Sequence, residues 1–452
     1  MRGSARSVLG REAMDVAGAA PPRVDCGAAF LRGTDPRLRP VLSMLEGHGL
    51  VRRWEGRFGM LGSRGGGFLP ASVVGGTGVR EMMGRREEGE GKGRTAKDGE
   101  GVGGPTDAGD FCGFVSRQRD DVPTYVGWPS NEALCPSICA LAGIDVRSGT
   151  EVLAASALPG GGWRLEVDHG AGEAGSGHDY DALVLATHDP SLAAATVAAL
   201  AGAEGAAASS EEEEEEGGTV PSLAPRLEAL SRDLAVLSSP ATSEEGASAL
   251  PLFTWSGRVG EGAGGDAGAP PFDAASVPGS ASVQYLAREG SKPGRGGGPA
   301  AGTGTAAGEV WTAVSTSLLA SEALRRHGST PAAAEEVRDV MTAEVARLLA
   351  GAAAAERPGE GRGGKGVDGG VAPFPLEDAS AVRWGAALRG RTLGLREDSI
   401  ALAPWFLCVG GDYVRAADGH ETPFEAAALS GLEAGERAAA FFFSGGAAGN
   451  KG

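Results

Sequence analysis

Residues 405–431 read WFLCVGGDYVRAADGHETPFEAAALSG, and the order of residue types in this stretch decides how the rest of the chain is organised. An apolar strand runs directly into Gly410, Gly411 and Asp412, and a helix rich in small residues begins after a short loop. Such a helix start carries unsatisfied N–H groups and partial positive charge, which favour an anionic or electron-rich ligand. Gly410 and Gly411 remove side chains where a ligand would touch backbone, and Asp412 can accept hydrogen bonds from ligand hydroxyls. Ala426, Ala427, Ala428, Ser430 and Gly431 let the helix lie close to a sheet or cofactor. A strand, a turn and a tightly packed helix with no ligand would carry the same pattern.

The bulk composition narrows the choices. The 452 residues include 77 glycines, and long Ala, Gly and Glu tracts shorten the part that can build a core. A net charge of -18 argues against a surface that tracks nucleic acid phosphates. Five scattered cysteines do not form the staple pattern of a small secreted domain, which points to an intracellular, reducing compartment. Apolar runs are too short for a membrane span, and the N-terminus lacks the apolar core of a secretory signal. Arg2, Arg6 and Arg11 in MRGSARSVLGREAM leave cytoplasm and plastid or another organelle open as compartments.

Ordered and unordered segments alternate along the chain. Leu38, Val41, Leu42 and Leu45 repeat at helical spacing after Thr34 or Asp35 as cap, and Gly47 and Gly49 end that helix. Residues 62–110 are polar and glycine-rich and read as a disordered insertion. A helix is predicted over 131–142, strands follow in GTEVLAA and WRLEV, and the run Ala182 to Ala186 reads as a strand buried on both faces of a parallel sheet. The tract 201–218, with six consecutive glutamates, reads as a solvated loop, and further insertions are expected at 256–270, 289–308 and 351–370. Val337, Val340, Met341, Val345, Leu348 and Leu349 form the stripe of an amphipathic helix.

Several of these segments, in order, resemble the renalase-like FAD-dependent oxidoreductases, relatives of the flavin amine oxidases. Asp25-Cys26-Gly27-Ala28 with Asp35-Pro36-Arg37, YVGWPSNEALCP at 125–136, GTEVLAA, WRLEV, YDALVLAT, SKPGR at 291–295, VRWGAAL at 382–388 and the GGD with Glu-x-Ala-x-x-Ser-Gly at the C-terminus carry the likeness. It implies an α/β, two-domain, amine-oxidase-like fold with a Rossmann-type cofactor domain and an α+β substrate domain. The cofactor domain would take residues 1–30, 125–200 and 395–444, and the substrate domain 31–124 and 201–394. FAD would bind non-covalently through Asp412, Gly411, Gly410, Glu425, Ala426, Val152 and Gly27, with Asp25 and Cys26 near the flavin. Trp128, Gly127 and Trp384 would face the substrate, a reduced nicotinamide nucleotide or an amine, with dioxygen as the reoxidant. No catalytic acid, base or metal is implied, and no nucleic acid or membrane partner.

The family's N-terminal strand and Gly-x-Gly-x-x-Gly turn, which cradle the cofactor pyrophosphate, find no counterpart in residues 1–23. The cofactor domain is therefore expected to be incomplete, with Gly10 and Arg11 of LGREAM as the remnant. The loop between Asp412 and Glu425 and the insertion SNEALCP also depart from the family pattern. A non-catalytic binding or scaffold protein of the same descent is the second expectation. Cys135 and Cys139 lack a partner pair at metal spacing, and GEGRGGKG at 359–366 lacks the Ser or Thr of a phosphate loop.

Overall fold

The computed structural model describes residues 25, 28–63, 67–71, 122–158, 161–168, 177–187, 189–211, 223–238, 249–260, 270–295, 308–355, 374–389, 392–414 and 423–445. They form a mixed α/β structure with four sheets, and no helix among them is long and apolar enough to cross a membrane.

The largest sheet has seven strands in the order β13-β9-β12-β11-β10-β2-β3. These are β2 (Phe58–Leu61), β3 (Phe68–Pro70), β9 (Ala249–Val259), β10 (Ala274–Ser276), β11 (Val283–Arg288), β12 (Val310–Ser315) and β13 (Leu376–Arg389). All neighbours are antiparallel except β10 and β2. Alternation along the strands gives the sheet two buried faces. Phe253, Trp255, Leu286, Trp311 and Ala313 pack on one side against helices α5 (Ser317–His327) and α6 (Pro331–Ala355). Leu252, Tyr285, Ala287 and Val314 point to the other, where Phe30, Trp54 and Val126 cover them.

Helix α6 meets the sheet through Val337, Met341, Val345, Leu348 and Leu349, and Thr342 accepts a hydrogen bond from the Trp255 indole at 2.9 Å. Val340 was expected in this stripe but is 39% exposed, because it lies a quarter turn off the line through Val337 and Met341. Thr316 caps α5 by accepting from the Leu319 N–H, and Gly328, at φ +63°, ends it.

A second core unites two small sheets. One runs β5-β6-β7, from β5 (Glu151–Ala157), β6 (Trp163–Asp168) and β7 (His178–Tyr180). The other runs β14-β15-β8, from β8 (Leu183–Leu185), β14 (Ser399–Leu402) and β15 (Leu407–Gly410). Trp163, Leu183, Leu185, Leu407, Val409 and Tyr413 pack there with α3 (Ser191–Glu211) and α4 (Ala224–Ser238). The Trp163 indole donates to the Trp405 carbonyl at 2.7 Å and so ties the sheets together. β8 does pair in parallel with β15, yet Val184 is 42% exposed, so the strand is not buried on both faces.

Between the cores lie α1 (Leu38–Gly47), the ribbon of β1 (Val51–Arg53) with β4 (Tyr125–Gly127), α2 (Leu134–Leu141) and the C-terminal helix α7 (Pro423–Gly445). The Asp35 carboxylate accepts the Arg37 N–H at 2.8 Å at the entrance to α1. Gly49, at φ +71°, follows its end. Helix α2 is shorter than the predicted 131–142, because Ser130 and Asn131 are spent on the turn that leads into it.

Several segments expected as loops belong to regular structure. Residues 201–211 continue α3, since the alanines there favour helix and the glutamate run begins only at its end. Within 62–110, β3 pairs with β2, because Phe68 stacks on buried Phe272. Residues 256–259 complete β9, and 351–355 end α6 with Ala352 and Ala353 buried. In the segment 289–308, Glu289 and Lys292 are buried. Replacing Leu349, fully buried under the large sheet, with Ala is expected to cost about 2–5 kcal/mol, read as a lower urea midpoint.

Candidate functional site

The strand β15 is buried along its whole length and ends at the turn of Gly410, Gly411 and Asp412. A Cβ on Gly410 would come within 3.0 Å of Ser430 Oγ, and one on Gly411 would meet the Tyr413 ring at 2.3 Å. The Gly411 N–H donates to Ser430 Oγ at 2.7 Å. Gly411 is therefore required by the approach of Tyr413, and Gly410 is set tightly against α7, whatever else touches them. Asp412 stands half-buried at the carboxyl end of β15, followed by the turn in which the Val414 N–H donates to the Gly411 carbonyl.

Glu425, in the first turn of α7, is fully buried. Its carboxylate accepts from Thr34 Oγ1 at 2.9 Å and from the Asp35 N–H at 2.5 Å. It thus serves the chain entering α1, whose orphan N–H groups favour a carboxylate. Three residues on, Arg37 pairs with Asp398 at 2.6 Å, and the Asp398 N–H donates to Glu433 of α7 at 2.6 Å. Ala426 is half-buried beside Glu425.

At the other end of the same segment, Asp25 enters a buried ionic cluster. Its Oδ2 lies 3.1 Å from Lys292 Nζ and 2.5 Å from Arg295 Nη1. Glu289 binds the same two cations, at 2.6 Å and 2.7 Å, and accepts from Thr312 Oγ1 at 2.7 Å. All four ionic side chains are at most 2% exposed. Asn131 completes the arrangement: it donates twice to Asp25 and once to the Ala28 carbonyl, and accepts the Gly127 N–H at 2.5 Å. Burial opposes the charge on Arg295 most, but the Asp25 and Glu289 carboxylates outweigh it and raise its pKa above the ordinary arginine value.

Two indoles border this cluster. Lys292 Nζ lies 5.5 Å from the Trp54 ring centre, and Trp54 donates to Ser291 Oγ at 3.1 Å. Trp128 carries the Arg52 guanidinium 3.5 Å above its ring. The same indole packs so closely on Gly294 that a Cβ there would fall 1.5 Å from it. Gly294 also has φ +74°, so the Lys-Pro-Gly-Arg turn admits no other residue at this point.

Two groups form among the sequence-predicted residues. Asp25, Gly127 and Trp128 come together around Asn131, while Asp412, Glu425 and Ala426 share the junction of β15, α7 and α1. Asp25 stands in the first group and Thr34 and Asp35 in the second, and Leu31 pairs with Tyr125. Val152 lies apart from both in β5, half-buried and paired with Val167. Trp384, on β13 opposite Leu252, packs half-buried against the cluster that contains Trp54 and Tyr285. Gly10, Arg11, Cys26 and Gly27 lie outside the described residues. Lys292, Arg295, Glu289 and Asn131 were not singled out as site residues. SKPGR and the glutamate three residues before its lysine were the available signals, but spacing along the chain does not reveal that Asp25, 267 positions away, is their counter-ion.

A second charged group lies on the same sheet. Arg288 bridges Asp273 and Glu309, and burial pushes the Glu309 carboxyl above the usual glutamate range, with Arg288 opposing the shift. The native state therefore holds a proton that the unfolded chain releases near pH ~4.3. This contribution is full below the unfolded value and is lost as pH rises through the raised folded value. Urea unfolding of wild type and Glu309→Gln at pH 4 and pH 7 is expected to show wild type losing ground to the variant at the higher pH. For the buried cluster, Lys292→Met leaves the two carboxylates with one cation and is expected to destabilise by about 3–5 kcal/mol, measured as the shift in thermal midpoint.

No protein-family model matches the chain, and no curated protein matches it in sequence.

Proposed function

We propose that the chain is an FAD-dependent oxidoreductase of the renalase-like kind, with an amine-oxidase-like two-domain organisation. The observation that carries this reading is the position of Asp412 at the carboxyl end of β15, beside the parallel strand β8 and ahead of α7. Ligands of open α/β sheets bind outside the carboxyl ends of parallel strands. A half-buried carboxylate there can accept from the hydroxyls of a ribityl chain, which fits the polyol end of FAD. Among the described residues, no glycine turn follows a strand in the manner of a pyrophosphate cradle.

When bound, the flavin supplies two-electron acceptance from a reduced nicotinamide nucleotide or amine and passes the electrons to dioxygen. The chain's own part is to bind and orient. Asp412 would accept from the polyol, while Trp128 and Trp384 would limit water at the substrate side. Gly127 and Asn131 would set the backbone on which Trp128 is carried.

One set of contacts favours the second reading, a non-catalytic binding protein of the same descent. Glu425 is engaged by Thr34 and Asp35, Asp25 by Lys292 and Arg295, and Trp128 by Arg52 and Gly294. Reconstitution with FAD separates the two. A flavoprotein retains the visible flavin spectrum through gel filtration, and Asp412→Ala weakens binding about tenfold or more, as expected for loss of charged hydrogen bonds worth about 1.5–3 kcal/mol. A protein that stays colourless supports the non-catalytic reading.

A further inference from the structure

Between α1 and the chain that leads into β4 lies a cavity of about 270 Å³, lined by Gly33, Arg39, Leu42, Val122, Pro123 and Tyr125. At ~30 Å³ of liquid per water this is the share of about nine waters, so the cavity admits a ligand of roughly ten non-hydrogen atoms. Arg39 and Leu42 stand three apart on α1 and so share one of its faces. Leu42, Val122 and Tyr125 are buried and contribute apolar and aromatic surface. Among the lining side chains only Arg39 carries charge, and it is exposed. The arginines on either side of it along the chain are engaged, Arg37 with Asp35 and Asp398 and Arg53 with Glu46, whereas among the described residues Arg39 has no ion pair. The Glu46 carboxylate stands 3.5 Å from the Tyr125 hydroxyl, but Arg53 offsets it at 3.0 Å. An anion at Arg39 therefore meets no unbalanced carboxylate from α1 or its entrance.

We propose that this cavity binds a small organic monocarboxylate with an apolar, aromatic or branched body. Arg39 holds the carboxylate, since a guanidinium meets both carboxylate oxygens with parallel N–H groups. Leu42, Val122, Pro123 and the Tyr125 ring cover the body, in the manner of a site with mostly apolar lining and one polar group that fixes orientation. An inorganic anion would leave that apolar surface uncovered, and a neutral apolar molecule would leave the guanidinium without a counter-charge. The net charge of -18 repels anions at long range, so uptake has to come from contacts within the cavity. The cavity shares no lining residue with the flavin site proposed above, and the two stand or fall separately.

Phenylpropionate, its neutral amide phenylpropionamide and acetate are the probes, each titrated calorimetrically into the full chain and into Arg39→Gln. Arg39 is exposed and makes no ion pair among the described residues, so the variant is expected to keep the wild-type thermal midpoint. Wild type is expected to bind phenylpropionate at one site, and Arg39→Gln to bind it about 10- to 100-fold more weakly, as for loss of a charged hydrogen-bond pair. The amide is expected to lose a similar factor on wild type and little more on the variant, and acetate, which lacks the body, to bind more weakly than phenylpropionate on both. Wild type that takes up no phenylpropionate overturns the proposal. Equal affinity of wild type and Arg39→Gln, of acid and amide, or of acetate and phenylpropionate overturns it as well, because each removes one of the two contacts on which the site depends.

Discussion

Two cations and two carboxylates, all nearly excluded from water, meet where Asp25 touches Lys292 and Arg295, and the placement of the segment that follows depends on this meeting. Ionic groups removed from solvent lose far more by losing a partner than they gain by having one. The cluster therefore acts mainly as a constraint on position. Residues 289–295 have to turn inward from the end of β11, and Asp25 has to lie against them. At its far end the same segment is held by Glu425 and Asp398. Asp25 is thus fastened beside the large sheet, and Thr34 and Asp35 to the C-terminal helix.

This double attachment relates the two cores. The large sheet packs its aromatic residues under α6, and the smaller sheets share a core with α3 and α4. Neither set of apolar contacts specifies how the segments between the cores should run. The ribbon of β1 and β4, with Leu31 paired to Tyr125, supplies hydrogen bonds along that path, and Leu42, Leu45, Val51 and Leu134 supply a small apolar cluster. Hydrophobic burial sets the magnitude of stabilisation here, while the buried polar bonds set the register.

Much of the candidate site is built from residues whose first duty is to the chain. Gly410 and Gly411 make room for Ser430 and Tyr413, Gly294 makes room for Trp128, and Glu425 accepts the Thr34 hydroxyl and the Asp35 N–H ahead of α1. Asp412 lies half-buried at the carboxyl end of a parallel pair. The proposed chemistry thus rests on the polar turn that can meet a polyol.

Local pattern alone determined the strand-turn-helix order at 405–445, α1 and its glycine stop, the amphipathic character of α6, and the strands of 151–168. Those features depend on periodicity and turn chemistry within a few residues, which a linear reading captures. The exposure of Val184 and Val340 depends on which neighbours a strand or helix face receives, and the strand at 68–70 depends on Phe272 from a distant segment. The burial of Lys292 and Arg295 was hidden for the same reason. Charged residues in a Pro-Gly turn read as solvated until the tertiary structure brings Asp25 and Glu289 to them, because only the assembled fold can place opposite charges from remote positions in one water-excluded space.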